Sequence, residues 1–444
     1  MSVRRRARTK KKRTGTRRTC AAVAVVVAWG VLAGAGPAGA GSVPTLHAAP
    51  RYLEHTTLAP GVEYRQFTLA TSHGTALGHL LTVDLRQPGV SLDLLHPDAV
   101  ASRARVSTMA AERSAVAAVN GDFFDITETQ HPGVDATGAA VGPEVTGGLL
   151  LKSAVPQGQR FGPAAPLGTS TEDIIGVGAD RIARVGRLTL RGTVTAEGRG
   201  TRPLRGLNQY ALAVDGIGAY TSDWGSASRV RATCGVDTAR SAPCSAETFE
   251  VTVREGRVAE RAGTPGKGPI EADSFVLVGR EAGARALREL RVGDPVRFDY
   301  GLRETHGPRF AFALGGFPIV RDRHRLDGLD PITGAVRTAA GIGDGGHRLY
   351  LLVLDGEMTY RAGLTLSELA DVMLGLGADD VVNLDGGGSS TLVAREADGG
   401  RLTVRNHPSG GTERLVPNGI AVFSRPRPDV RSQPDVRSRP GDRR

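Results

Sequence analysis

The sequence predicts an α+β fold: a mixed β-sheet core, a βαβ unit near the C-terminus and an inserted β-rich region. Three observations carry that expectation. Apolar and polar residues alternate with period two in "YRQFTLA", "LGHLLTVDL" and "VSLDLLH", the pattern of half-buried strands, and residues 183–305 read as mostly β. Between 347 and 394 an apolar run, "HRLYLLVLDG", is followed by a helical pattern, "TLSELADVMLGLG", and a second apolar run, "DDVVNL". Both apolar runs end in Asp-Gly, at Asp355-Gly356 and Asp385-Gly386.

The helix between them carries its own start and stop. Thr365 and Glu368 have capping-box spacing, and Gly377 sits where a helix ends. Leu366, Leu369, Ala370, Met373 and Leu374 share one face. Strand, helix and strand at this spacing predict two parallel strands ending at one sheet edge, where ligands collect in open sheets. Upstream, "RVSTMAAERSAVAAV" reads as a short helix running into a strand, residues 135–175 as loops with short strands, and "GREAGARALREL" as a helix within the β-rich stretch.

The chain has 444 residues and a formal charge of +10. The first 40 residues hold ten Arg and Lys and no acid, and residues 425–444 add seven Arg against three Asp. The stretch between is therefore mildly acidic. A nucleic-acid footprint belongs on the folded part, so nucleic acid is set aside as a partner.

Residues 1–40 read as a signal peptide: a long basic segment, the short apolar run "CAAVAVVVAWGVLAGAG", and the small-residue site Ala38–Ala40. Arg17 and Arg18 before that run partly match twin-arginine export. The expectation is a secreted or wall-associated protein with no stable membrane anchor after cleavage. Cleavage leaves two cysteines, Cys234 and Cys244, and an isolated near pair in an exported protein predicts a disulfide. Residues 41–103 read as an N-terminal β region. Residues 425–444, with "PDVRS" repeated, have too little apolar content for a core and read as a disordered Arg/Pro-rich tail.

Three stretches carry candidate chemistry. In "AVNGDFFD", Asn120 and Asp122 follow a strand. In "AVRTAAGIGDGG", Arg337 offers a fork for phosphate or carboxylate, Thr338 follows it, and Asp344 opens another Asp-Gly. In "VVNLDGGGSSTLVA", Asp385 precedes Gly386, Gly387, Gly388 and Ser389, whose amides can form an anion-binding concavity. Each stretch alone reads equally as a turn or an ordinary loop. A phosphate-loop lysine motif, GxSxG and HExxH are all absent, and only Lys152 and Lys267 follow the leader.

Taken in order, "VNGDFFD", "GGFPIV", "VRTAAGIGDGG", "LLVLDG", "GLTLSELADVMLGLGADDVVNLDGGGSSTLV" and "RLVPNGIAVF" resemble the phosphodiester glycosidase family. The resemblance is strongest over 312–423 and reaches back to about residue 104. It implies a domain over 104–424 with a β-rich insertion at about 183–305. Glu357 stands where the family usually has Arg, and Asp122 where Gly is common.

The implied reaction hydrolyses a sugar-1-phosphodiester, N-acetylglucosamine-1-phosphate-like, to free sugar and a phosphate monoester. Phosphate leaves more readily than an alcohol, so positioning the phosphate charge matters more than a strong general acid. On this reading Asp385 and Asp355 serve as nucleophile or base, with Asn120 and Asp122 completing the catalytic set. Arg337, Thr338, Asp344, the 386–389 backbone and Asn418 hold the substrate. The substrate is a sugar-phosphate or cell-wall glycan. No cofactor motif is present, and a divalent cation at the acidic strand ends stays open. The rival readings are a non-catalytic glycan-binding module, with Tyr220, Trp224, Phe123 and Phe124 as stacking platforms, and a glycosidase acting on non-phosphorylated glycans.

Overall fold

The computed structural model describes residues 49–304, 309–396 and 400–424, so the leader and tail readings lie outside the described residues. The described chain is mostly β, with three α-helices: α1 (Val106–Glu112), α2 (Ala282–Arg288) and α3 (Leu366–Gly375). The central sheet has eight strands, in the order Arg51–Ala59, Val62–Thr71, Gly74–Asp84, Arg348–Leu354, Thr338–Gly343, Asp380–Leu384, Phe317–Arg321 and His324–Arg325. A five-stranded sheet orders Leu402–Val404, Leu392–Arg395, Ala117–Asn120, Gly419–Ser424 and Val90–Leu95.

Period-two alternation gives the central sheet two apolar faces. On the strand Arg348–Leu354, Leu349, Leu351 and Val353 join Leu92, Leu94, Val119, Leu392 and Ile420 of the five-stranded sheet in one core. Tyr350, Leu352 and Leu354 join Leu366, Leu369, Ala370 and Met373 of α3 in another. Each such aliphatic side chain gains about 1.5–3 kcal/mol from burial. The central strand Thr338–Gly343 is built of small residues because α3 comes close: a Cβ on Gly341 would lie 2.7 Å from Met373 Cε.

The α3 signals read from sequence are present as expected. Thr365 Oγ1 accepts from the Glu368 amide at 3.1 Å, and Glu368 Oε2 accepts from the Thr365 amide at 2.8 Å. Gly377, with φ +99°, follows the helix.

The βαβ expectation needs correction. Arg348–Leu354 and Asp380–Leu384 are not neighbours. Thr338–Gly343 lies between them, antiparallel to both, with Thr338 opposite Val353 and Leu384. Thr338–Gly343 and the strand that follows it form a local hairpin through residues 344–347, and closing that short loop costs little entropy. The sheet is therefore antiparallel rather than mixed. The one parallel pairing among the described residues joins Gly206–Leu207 to Ile217–Tyr220 in a separate sheet. Because both flanking strands oppose the strand between them, they still point the same way, and both Asp-Gly corners reach one edge.

Residues 206–280 contribute a further five-stranded sheet. Its core includes Leu207, Phe249, Val251, Leu277 and Leu287. Cys234 and Cys244 form a disulfide. No described helix is long and apolar enough to cross a membrane.

Candidate active site

Five chain segments meet at the edge where the Asp-Gly corners lie. They are the end of Ala117–Asn120, the start of Thr338–Gly343, the ends of the two Asp-Gly strands, and residues 406–418. Asn120 is the knot. Its Nδ2 donates to the Asp385 carbonyl at 2.7 Å, and its Oδ1 accepts from Thr338 Oγ1 at 2.9 Å and the Thr391 amide at 3.0 Å. Thr338 Oγ1 also lies 3.1 Å from Ser390 Oγ. Asn120 and Thr338 are fully buried, and these bonds use their polar atoms. They fix the corner and do not present groups to a sugar.

Asn418 does the same work on the other side. Its Oδ1 accepts from the Asp122 amide at 2.8 Å, its carbonyl from the Gly121 amide at 3.0 Å, and its Nδ2 donates to Glu144 Oε1 at 2.6 Å. Position 121 must be glycine, since a Cβ there would overlap Asn418 Oδ1. Asp122 is buried and accepts from the Phe123 amide at 2.8 Å and the Gly142 amide at 2.6 Å. Burial pushes its carboxyl up to about 6, against those amides and the Lys152 charge.

Glu144 and Lys152 face each other across paired strands, both buried. Burial pushes the Glu144 carboxyl up and the Lys152 ammonium down, and each charge partly offsets the other. Lys152 Nζ donates to the carbonyls of Gly142 and Ser153.

Asp385 sits at the mouth of this arrangement. Its amide donates to the Gly121 carbonyl at 2.9 Å, and its Oδ1 accepts from the Gly386 amide at 3.0 Å. Burial pushes its carboxyl up to about 6; the Ser389 hydroxyl and the Arg414 charge oppose that, and Asp122 reinforces it. Arg414 is exposed, and its Nη1 donates to Ser389 Oγ at 3.2 Å. A Cβ on Gly388 would overlap the Arg414 guanidinium, so the glycine run lets that cation lie over the loop.

The backbone of that run is less available than the sequence suggests. The Gly386 amide serves Asp385, Gly387 donates to the Val336 carbonyl at 2.8 Å, and Ser389 donates to the Gly386 carbonyl at 3.1 Å. The expected amide concavity is mostly spent on the loop's own shape.

Arg337 is also turned inward. Its Nε donates to the Leu364 carbonyl at 3.0 Å and its Nη2 to the Thr333 carbonyl at 2.9 Å, so it braces two loops. Asp344 is a clear correction. It follows the far end of Thr338–Gly343, away from the site, and pairs with Arg86 at 2.8 Å. A cavity of about 650 Å³ opens at that far end, lined by Ile342, Gly345, Asp379 and Asp380 among others, and it does not include the strand-end site.

Asp355 is fully buried. Its Oδ2 accepts from His79 Nε2 at 3.1 Å and the His407 amide at 2.9 Å, and its Oδ1 from the Glu357 amide at 2.8 Å. His407 Nδ1 lies 3.0 Å from Oδ2. Burial alone would raise the Asp355 carboxyl, but the bonds from His79, the two amides and the His407 ring outweigh it and hold it below the usual carboxylate range. Behind His79, the Tyr64 hydroxyl lies 2.8 Å from Nδ1.

Asp355, Glu357 and His407 bring ligand-type atoms within 4.8 Å of one another. Each Asp355 oxygen already accepts from a backbone amide, and His407 Nδ1 lies 3.0 and 3.2 Å from the two oxygens, so hydrogen bonding to Asp355 draws this group together. His131 lies beside Cys234 and Cys244, whose sulfurs are consumed by the disulfide.

The aromatics expected to stack on sugars are all in the core: Tyr220 and Trp224 are fully buried, and Phe123 and Phe124 nearly so. Sequence reasoning missed Arg414, Glu144, His79 and His407. Arg414 had a signal, a cation four residues before Asn418 in one motif. His79, on a strand some 280 residues before Asp355 in the chain, had none.

Residues 247–423 match the family model described as phosphodiester glycosidase. This stretch is similar to the phosphodiester glycosidase family. A hypothetical protein from Synechocystis shares the fold, with a TM-score of 0.63 and 22% identity over 85% of this chain and 64% of that one. The chain thus spans less than two thirds of the Synechocystis protein. A Burkholderia pseudomallei protein described as "Putative exported protein" aligns with a TM-score of 0.59 and 22% identity, over 79% of this chain and 74% of that one. The zebrafish N-acetylglucosamine-1-phosphodiester alpha-N-acetylglucosaminidase catalytic domain, described as auto-inhibited by its pro-peptide, aligns at 0.42 and 15%, over 85% of this chain and 88% of that one. No curated protein matches the chain.

Proposed function

We propose that this protein is an exported hydrolase that cleaves the sugar–oxygen bond of a sugar-1-phosphodiester, releasing free sugar and a phosphate monoester. The observation that carries the reading is the Asp385–Ser389–Arg414 group. It sets a carboxylate with a raised pKa beside an exposed guanidinium, on a glycine loop in the family segment. Asp385 faces the anomeric carbon and supports its developing positive charge. Arg414 takes the phosphate oxygens, for which a guanidinium fork is suited. Asn120, Asn418 and Asp122 hold Asp385 in place from behind.

The four aromatics named as stacking platforms are buried, which argues against a glycan-binding module built on them. The disulfide and the basic, then apolar, leader support export. A sugar-phosphate wall polymer is a natural substrate for such a protein.

The test uses mature protein from residue 41 and UDP-N-acetylglucosamine, followed at the anomeric proton by NMR, with and without EDTA. The Asp385→Asn variant runs beside it. Free sugar from wild type but not from the variant is the expected result. The EDTA arm reads any dependence on a divalent cation. No release from this or a panel of other sugar phosphodiesters refutes the reading.

A further inference from the structure

We propose, building on that reading, that His407 is the base which activates the hydrolytic water, and that Asp355 is its orienting carboxylate rather than a nucleophile. The geometry at the first Asp-Gly corner carries this. Asp355 has no exposed surface, so it cannot touch a sugar, whereas the His407 side chain is 69% exposed. The His407 ring turns Nδ1 to Asp355 at 3.0 Å, so Nδ1 carries the proton and Nε2 is left with its lone pair outward. Among the described residues no hydrogen bond holds Nε2.

The pairing is held on every side. The His407 amide donates to Asp355 Oδ2 at 2.9 Å, and the Gly356 amide donates to the His407 carbonyl at 2.7 Å. Position 356 must be small, because a Cβ there would crowd Ser409. Behind Asp355, His79 and Tyr64 form a dry backing chain with both residues buried. A base oriented by a buried carboxylate, itself oriented by further groups, is the general pattern of an activated site.

The same segment reaches the glycine loop: Ser409 Oγ donates to the Gly387 carbonyl at 3.2 Å. One strand separates the two Asp-Gly corners, placing them about 10 Å apart, two strand spacings. On this assignment a sugar ring and one water lie across the gap between the corners, as in glycosidases that keep a water between their two groups.

The step balances. The water oxygen bonds to the anomeric carbon, and one water proton passes to His407 Nε2. The bond from that carbon to the phosphate oxygen breaks, and its electron pair leaves with the phosphate monoester, which gains one negative charge. His407 then returns the proton to solvent.

The charged and titratable groups around the ring are Asp355 from the strand end, Glu357 from the loop after it, His79 and Tyr64 behind Asp355, and Arg405 in the same segment, stacked on Tyr64 at 5.5 Å. The hydrogen bond and charge of Asp355 raise the His407 pKa, with Glu357 adding to it. Activity should therefore rise with pH along a limb set by His407, above the one set by Asp385.

The test is the pH profile of kcat for wild type and His407→Gln on the substrate that wild type hydrolyses. We expect a fall of about 100-fold at the alkaline plateau. We also expect the remaining limb to move down to the Asp385 midpoint of about 6. A residue that only held the loop would lower the rate without moving the limb. An unmoved limb, or an unchanged plateau, overturns the His407 assignment while leaving the hydrolase reading intact. If wild type hydrolyses no sugar phosphodiester, the parent reading fails and takes this one with it. A second measurement needs no variant: the ¹⁵N spectrum of neutral His407 must place the proton on Nδ1, and the Nε2–H tautomer refutes the proposal.

Discussion

Replacing Asn120 with Ala removes three hydrogen bonds at once, and the cost can be worked bond by bond. Thr338 Oγ1 keeps a partner, because Ser390 Oγ is 3.1 Å away. The Asp385 carbonyl and the Thr391 amide lose the side-chain partner that held each at 2.7 and 3.0 Å. A buried polar group left unpaired costs about 1–3 kcal/mol. Two such groups give a loss of about 3 kcal/mol. The perturbation also frees Asp385 from the sheet edge, so turnover should fall more than stability does. Urea denaturation followed by fluorescence, with an unchanged m-value, reads the first quantity. Asn120→Asp is the informative companion: it keeps an acceptor for Thr391 and loses the donor to Asp385, and it should fall between wild type and Ala. A loss below about 1 kcal/mol for Asn120→Ala refutes the knot described above, because water or relaxation would then be satisfying both groups.

Three further outcomes follow from the same geometry. Asp385 has its carboxyl raised in the folded state from 3.8 to about 6, so the native protein binds this proton more tightly than the unfolded chain does, and stability falls as pH rises through that window. Asp385→Asn should therefore be more stable than wild type at pH 7, by on the order of 3 kcal/mol, with no gain near pH 3.5; equal pH dependence in the two proteins refutes the raised pKa. Gly388→Ala should displace the Arg414 guanidinium, lowering kcat/KM at least 10-fold while urea stability stays within about 0.5 kcal/mol, because the group it strikes is the end of a flexible exposed side chain. Thr365→Ala should cost about 1 kcal/mol through the lost cap of α3, measured by thermal unfolding, and leave turnover unchanged.

Local features were legible in the sequence wherever one short segment determines them. The α3 capping box, the apolar strands around it and the Cys234–Cys244 pairing needed only spacing and composition. Pairing order was not legible. Thr338–Gly343 reads as a loop motif because Ala and Gly dominate it, yet it is the strand between the two Asp-Gly strands. Its small residues answer to α3 above it, a tertiary demand that no local propensity reports.

The site divided along the same line. Asp385 and the glycine run announced themselves, and the structure brings them to one sheet edge with Asn120, Thr338 and Ser390. Direction was the hidden variable. Arg337 has the chemistry of a phosphate ligand, but it points at two carbonyls inside the fold. Asp344 has the same Asp-Gly signature as Asp355 and Asp385, but it sits one strand length away, at the far end of the hairpin. Asn120 and Asn418 belong to the site as its frame. Only their partners, spread from Glu144 to Thr391, distinguish a frame from a ligand.

The strand Ala117–Asn120 lies inside its sheet, paired to Leu392–Arg395 on one side and Gly419–Ser424 on the other. Both partners come from almost 300 residues later in the chain. During synthesis, Asn120 and Asp122 therefore wait without their sheet until the last strand has emerged, and Asp385 has no fixed position until then. Such long-range closure is slow. It also means that the corner around Asp385 takes its final form only once Gly419–Ser424 has paired with Ala117–Asn120.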